Sequence, residues 1–364
     1  MRSSVRWTIV LTFIFHFLAP IPLKAEVTSD TTRMKLEKTI TGNISPKSVR
    51  ASKTGVVSAH NMMYRHSVTT YDATSLELLS TISDQVNLTE LGFKGFTGLH
   101  RGAPVEGAYS PDGAYLYVTN YAMYGKGFNR EGTDVCKPSN NYDRSFLYRI
   151  DTSTWKIDKA YRVGVVPKVV EVTPDNKYVL VSNWCSYDLT VISIEAQKVM
   201  RTIKIGAYPR GITVSRDSQF AYVAQMGGAV IHKINLNDWS KELLNIGSNP
   251  RALVLSPDNS ILYATLNSSG RVVAFDLIKN KVAKTVKTGS ASRSLDISTD
   301  GSALYVVNYT SDTVSKVRTS DFEVLQKIKV CDEPIGITYE PLNKRIWVAC
   351  YGGAIKVFSD SLSQ

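Results

Sequence analysis

The sequence predicts an all-β fold, a seven-bladed β-propeller of four-stranded antiparallel blades, on three observations. Variants of a turn Ser/Thr-Pro-Asp-Gly/Asn place their Asp at 112, 175, 217, 258 and 300. Alternating apolar runs such as Leu116–Asn120 and Val272–Asp276 flank those turns. The pitch, after one longer gap of 63 residues, is 42, 41 and 42 residues. Period-2 alternation joined by tight Asp-Gly or Asp-Asn turns means antiparallel hairpins, so each unit is a four-stranded meander. A meander of short strands cannot bury both faces alone, and radial stacking solves this without leaving open edges.

Degenerate turns at Ser52–Gly55 and Glu340–Asn343 extend the count to seven. The expected blades are about 43–102, 103–164, 165–206, 207–247, 248–289, 290–331 and 332–364, in a single domain over 26–364. Residues 34–42 supply the outer strand of the last blade, because Glu37–Gly42 repeats the pattern of Lys284–Gly289. The N-terminal strand thus closes the ring.

The other 25 residues read as a cleavable signal peptide. Arg2 and Arg6 precede the apolar run Trp7–Leu18, followed by Pro20, Pro22 and Ala25. That run is too short to span a bilayer, so no membrane span is expected after its removal. A periplasmic or secreted location follows. Hydrophobic residues make up 43% and charged residues 21% of the 364, with 23 Gly and 13 Pro, which excludes collagenous, disordered and multi-spanning chains. The net charge of +11 favours anionic partners only where it is concentrated.

The runs Leu116-Tyr117-Val118-Thr119-Asn120 and Leu304-Tyr305-Val306-Val307-Asn308 carry a resemblance. The chain resembles the secreted YVTN-repeat family of seven-bladed propellers over nearly all of its expected mature length. The resemblance implies the fold and a binding or surface role, with no shared catalytic motif to carry over.

Three features meet on one face. After the Gly-x-x-Pro that opens each inner strand stand Lys47, Val105, Lys168, Arg210, Arg251, Arg293 and Ile335 in blade order, so five of seven positions at one channel mouth are basic. At the end of the second strand stand Asn120, Asn183 and Asn308, with Tyr121, Trp184, Tyr309 and Tyr351 next outward. Arginine forks suit phosphate or carboxylate, and aromatic faces add stacking area, so these residues form the expected ligand-binding set. Third, two insertions break the pitch, one around 85–102 and one between Tyr121 and Arg144, both expected over the same side of this face. The four cysteines map to it as well. Four cysteines allow three pairings, and the preferred one is Cys136–Cys185 with Cys331–Cys350.

Catalytic motifs are missing: no Gly-x-Ser-x-Gly, His-Glu-x-x-His or phosphate loop occurs, which leans against an enzyme without deciding it. Glu106, the one acid at the second inner-strand position, is the alternative catalytic residue of a lactonase-like hydrolase, or else pairs with Lys168. His60, Met62 and His66 are the alternative metal ligands, for copper. No cofactor is expected. The reading is a monomeric, non-catalytic binding protein for an anionic small molecule or polyanion, with a surface or protein partner as the scaffold alternative.

Overall fold

The computed structural model describes residues 28–362; the expected signal peptide lies outside them. Seven four-stranded antiparallel sheets form a closed ring, with almost no helix. Blade one runs through Ser48–Ala51, Val56–Asn61, Ser67–Asp72 and Leu78–Ser83, and blade two from Pro104–Tyr109 to Lys156–Arg162. Blades three to six begin with the inner strands Pro167–Val172, Pro209–Val214, Pro250–Leu255 and Ser292–Ile297. Blade seven is Pro334–Glu340, Arg345–Cys350 and Ala354–Ser361, to which Arg33–Ile40 adds the outer strand. No helix of the described residues is long and apolar enough to cross a membrane.

The repeated turn works through its side chains. In blade two Ser110 Oγ donates to Asp112 Oδ1 at 2.5 Å and accepts from the Tyr115 amide at 2.9 Å, while the Ala114 amide reaches Asp112 at 3.0 Å. Ser215–Asp217, Ser256–Asp258 and Ser298–Asp300 repeat it. These local bonds fix the turn without any contact from a neighbouring blade.

Between blades the core is apolar. Fully buried Tyr117, Tyr148, Tyr305, Phe146, Phe275 and Trp347 fill it, each contributing about 1.5–3 kcal/mol by area removed from water. Ring closure has its own lock. Lys316 Nζ meets Asp360 Oδ1 at 2.6 Å and donates to the Thr32 carbonyl and hydroxyl at 3.0 and 2.8 Å, with both charged side chains buried. Tyr305 OH donates to the same Asp360. The N-terminal strand is therefore tied to blade six as well as blade seven.

The insertions pack on each other. Phe96 stacks on Phe128 at 5.1 Å, and both, with Phe93, meet the Phe146 ring edge-on against blade two. A two-stranded ribbon, Gln85–Val86 with His100–Arg101, pins the base of the first.

Candidate functional site: the cationic channel mouth

A backbone irregularity aims the basic residues. In blades three, four, five and six the pairing of inner and second strand shifts register directly after Pro167, Pro209, Pro250 and Ser292, leaving Lys168, Arg210, Arg251 and Arg293 in a β-bulge. Each bulge follows a left-handed residue, Val166, Tyr208, Asn249 and Ala291, with φ between +51° and +59°. That region is uncommon for non-glycine residues and costly for β-branched Val166, so tertiary packing must enforce it. A bulge bends the strand and redirects the extra side chain, here to the channel mouth. Blades two and seven carry the same shift at apolar Val105 and Ile335. Gly211 brings two of the cations together: a Cβ there would lie 2.4 Å from the Arg251 carbonyl, so only glycine lets blades four and five approach this closely.

The five cations form one cluster. Arg210 and Arg251 are 6% and 9% exposed, Lys168 is 5% exposed, and Lys47 and Arg293 are half-buried. Burial, followed by the charges of Arg210, Arg251, Lys168 and Arg293, holds the Lys47 ammonium well below the usual lysine range. Burial and Arg210 bring Lys168 down to about 7, against the opposing pull of Asp134. Arg210, Arg251 and Arg293 are shifted down too, chiefly by burial.

Counter-charge is sparse. Lys168 Nζ lies 2.8 Å from Asp134 Oδ1, and Arg210 lies 3.5 Å from Glu106 Oε1. Among the described residues the Arg251 guanidinium has one hydrogen-bond partner, the Met226 sulfur at 3.9 Å. Aromatic faces take up part of the deficit: Arg293 sits 3.4 Å over Tyr309, Lys168 4.2 Å over Tyr121 and 5.4 Å from Trp184, and Lys47 5.0 Å over Tyr351. A cation over a ring gains about 0.5–2 kcal/mol, far less than a buried ammonium or guanidinium loses by leaving water.

Both disulfides form, Cys136–Cys185 and Cys331–Cys350. The first sits in an apolar cluster with Val166, Trp184, Tyr208 and Met226, and it fastens the second insertion over the mouth. Asp134 on that loop accepts from Tyr121 OH at 3.3 Å, and its carbonyl accepts from Trp184 Nε1 at 3.0 Å. Trp184 stacks on Tyr208 at 4.5 Å.

Several expected site residues take other roles. Asn120, Asn183 and Asn308 have no exposed surface. Asn183 joins the Gly164 amide to Asp188 and Thr190, Asn308 joins Thr288 and Ser292 to Thr313 and Ser315, and Asn120 donates to the Phe146 carbonyl. They knit strands together and leave the ligand-facing set. Glu106 faces Arg210 of blade four rather than Lys168, whose partner is Asp134. His60, Met62 and His66 are not assembled into a metal site. His60 packs against Gly107 and binds Ser48 Oγ at 2.7 Å, with burial and Arg50 holding it neutral at a pKa of about 3. His66, across the hairpin turn, points to Asp84 and the Gly102 carbonyl.

Sequence reasoning missed a second charged layer lower in the channel. Arg50 Nη2 reaches both Glu171 oxygens, at 2.6 and 2.8 Å, across the intervening blade, which lines the channel there with the small Gly107. Asp296 accepts from the Tyr339 amide at 2.8 Å nearby. Arg50 keeps 39% of its side-chain surface because it faces the channel while lying deep in the molecule. Burial raises Glu171 and Asp296 although Arg50 opposes it. The channel encloses about 780 Å3, with Arg210, Arg251, Arg293 and Glu106 at the top and this layer beneath.

Residues 150–329, from the end of the third strand of blade two through blade six, match the family model described as YNCE-like beta-propeller. Over that stretch the chain is similar to YNCE-like β-propellers. The YVTN-repeat resemblance read from Leu116–Asn120 is close to that description. Antigen Lp49 of Leptospira interrogans serogroup Icterohaemorrhagiae serovar copenhageni (strain Fiocruz L1-130) is 29% identical to this chain over 155 residues, 39% of it and 33% of the antigen. The match thus spans about a third of that relative's length. A chain of Kuenenia stuttgartiensis Hydrazine Synthase superposes with a TM-score of 0.68 at 15% identity, covering 89% of this chain and 98% of the other. At that identity the likeness concerns the fold alone.

Proposed function

We propose that this propeller is an exported binding protein whose channel mouth holds an anionic ligand without turning it over. One observation carries the reading: five cations crowd one opening with, among the described residues, only Asp134 and Glu106 in ion-pair reach. Such a cluster is electrostatically unfavourable until an anion neutralises it, and a phosphate or carboxylate fits the guanidinium forks of Arg210, Arg251 and Arg293. Tyr121, Tyr309 and Tyr351 supply faces against which a planar ligand can lie. Two disulfides favour an oxidising compartment, periplasmic or extracellular.

The test is calorimetric titration with pyrophosphate and oxalate at two salt concentrations. Wild-type protein is expected to bind with a clear salt dependence, and replacing Arg210, Arg251 and Arg293 by Met to weaken binding and flatten that dependence. Methionine keeps the buried stems packed. Equal affinities in both proteins would return the arginines to a structural role.

A further inference from the structure

Lys47 differs from its four neighbours. Lys168 has Asp134, Arg210 has Glu106, Arg293 lies against Tyr309, and Arg251 is a guanidinium that does not deprotonate in proteins. Lys47 has neither a carboxylate nor a hydrogen-bond acceptor for its amine among the described residues; the amine lies 5.0 Å over the Tyr351 ring. The residue stays half-buried rather than sealed in the core.

The cations that bear on it are Arg210, Arg251, Lys168 and Arg293, Asp134 is near enough to interact with it, and Glu333 acts on the adjoining Tyr351 and Arg293. Burial and those four charges favour the neutral amine. A desolvated lysine beside other cations is an activated nucleophile, and the same cations draw anions toward it.

We propose that Lys47 captures the carbonyl carbon of an anionic aldehyde or ketone whose carboxylate or phosphate is held by Arg210, Arg251 and Arg293. The inference rests on the anion-binding reading above. In the step the amine lone pair attacks the carbonyl carbon and the C=O π pair moves to oxygen. The nitrogen loses two protons as the C=N bond forms, and the oxygen departs as water. Amine and carbonyl give imine and water, with no oxidant or reductant needed. Lys168, titrating near 7 beside Asp134 in the same cluster, is suited to pass the proton.

The experiment is reductive trapping on the full chain at pH 7 with cyanoborohydride, which spares the disulfides, followed by peptide mapping. The probe is pyridoxal 5′-phosphate and the comparator is uncharged-tail pyridoxal. Lys47 is expected to be labelled at least about tenfold faster than the exposed Lys281 and Lys287, since each pKa unit of depression raises the neutral fraction tenfold. Because pyridoxal closes on its own 5′-hydroxyl and offers little free aldehyde, the comparison is made on the Lys47-to-Lys281 labelling ratio, which is expected to be at least about tenfold smaller with pyridoxal than with its phosphate. Lys47→Arg should abolish the label at an unchanged melting temperature. Equal rates at Lys47 and Lys281 overturn the nucleophile and leave anion binding standing. A high Lys47-to-Lys281 ratio that is the same with both aldehydes overturns the anionic part and the reading beneath it.

Discussion

Replacing Arg251 by Met should make the protein more stable and a poorer anion binder. Arg251 is 9% exposed, lies between Arg210 and Arg293, and has no carboxylate partner of its own. Two like charges about 8 Å apart at an effective dielectric of about 20 repel by about 2 kcal/mol. Glu106 and Asp134 offset part of the repulsion from its two neighbours, and burial of the guanidinium adds to the cost. Met fills the volume of the stem, so no cavity penalty opposes the change. A gain of about 2 kcal/mol follows. With an unfolding entropy of about 2.1 cal/mol/K per residue, a ring of this size has roughly 0.7 kcal/mol/K, so Tm should rise by about 3 °C. Sulfate affinity should fall about tenfold, because one charge-assisted contact is lost. The assay is a pair of thermal melts and sulfate titrations at about 0.05 and about 0.3 M salt, where screening narrows the stability gap. A variant that melts lower than wild type and binds sulfate equally well would refute the reasoning.

Lys168, depressed to about 7, ties both properties to pH. Between about 7 and its ordinary 10.5 the unfolded chain holds a proton that the folded one has released, so stability should rise with pH across that window. Sulfate affinity should fall as pH passes 7, and binding above it should take up a proton, measurable by calorimetry in buffers of different ionisation enthalpy. Lys316→Met should cost about 3–5 kcal/mol in denaturant unfolding, since it strands the buried Asp360 carboxylate, whereas Lys316→Met with Asp360→Leu should recover most of the loss. Cys136→Ser with Cys185→Ser should lower stability by about 2–4 kcal/mol and tighten sulfate binding, because Asp134 is no longer held on Lys168.

Much of the fold was legible because its determinants are local. The Ser-x-Asp turns bond within five residues, and the alternating strands repeat, so pitch alone counted the blades. Both disulfides followed once loops had been assigned to one face. The basic ring was legible as residue type, but its burial was not, because that depends on the bulge after each proline, which no residue pattern announces. The asparagines misled for a related reason: a short polar side chain at a strand end can face solvent or turn inward to the next loop, and Asn183 and Asn308 turn inward. Glu106 found Arg210 rather than Lys168 because the relative twist of the inner strands brings non-neighbouring blades into reach. Arg50–Glu171 was invisible for the same reason, joining blades one and three past Gly107 of blade two. Asp134 alone had a signal: it precedes Cys136 by two positions, on the loop already assigned to the mouth.

Diffraction from crystals grown with selenate, using the selenium anomalous signal, tests the channel mouth most directly. A peak in contact with Arg210, Arg251 and Arg293 is the expected result. Selenate found only on outer-strand lysines such as Lys281 and Lys287, with no peak at the mouth, would contradict the account.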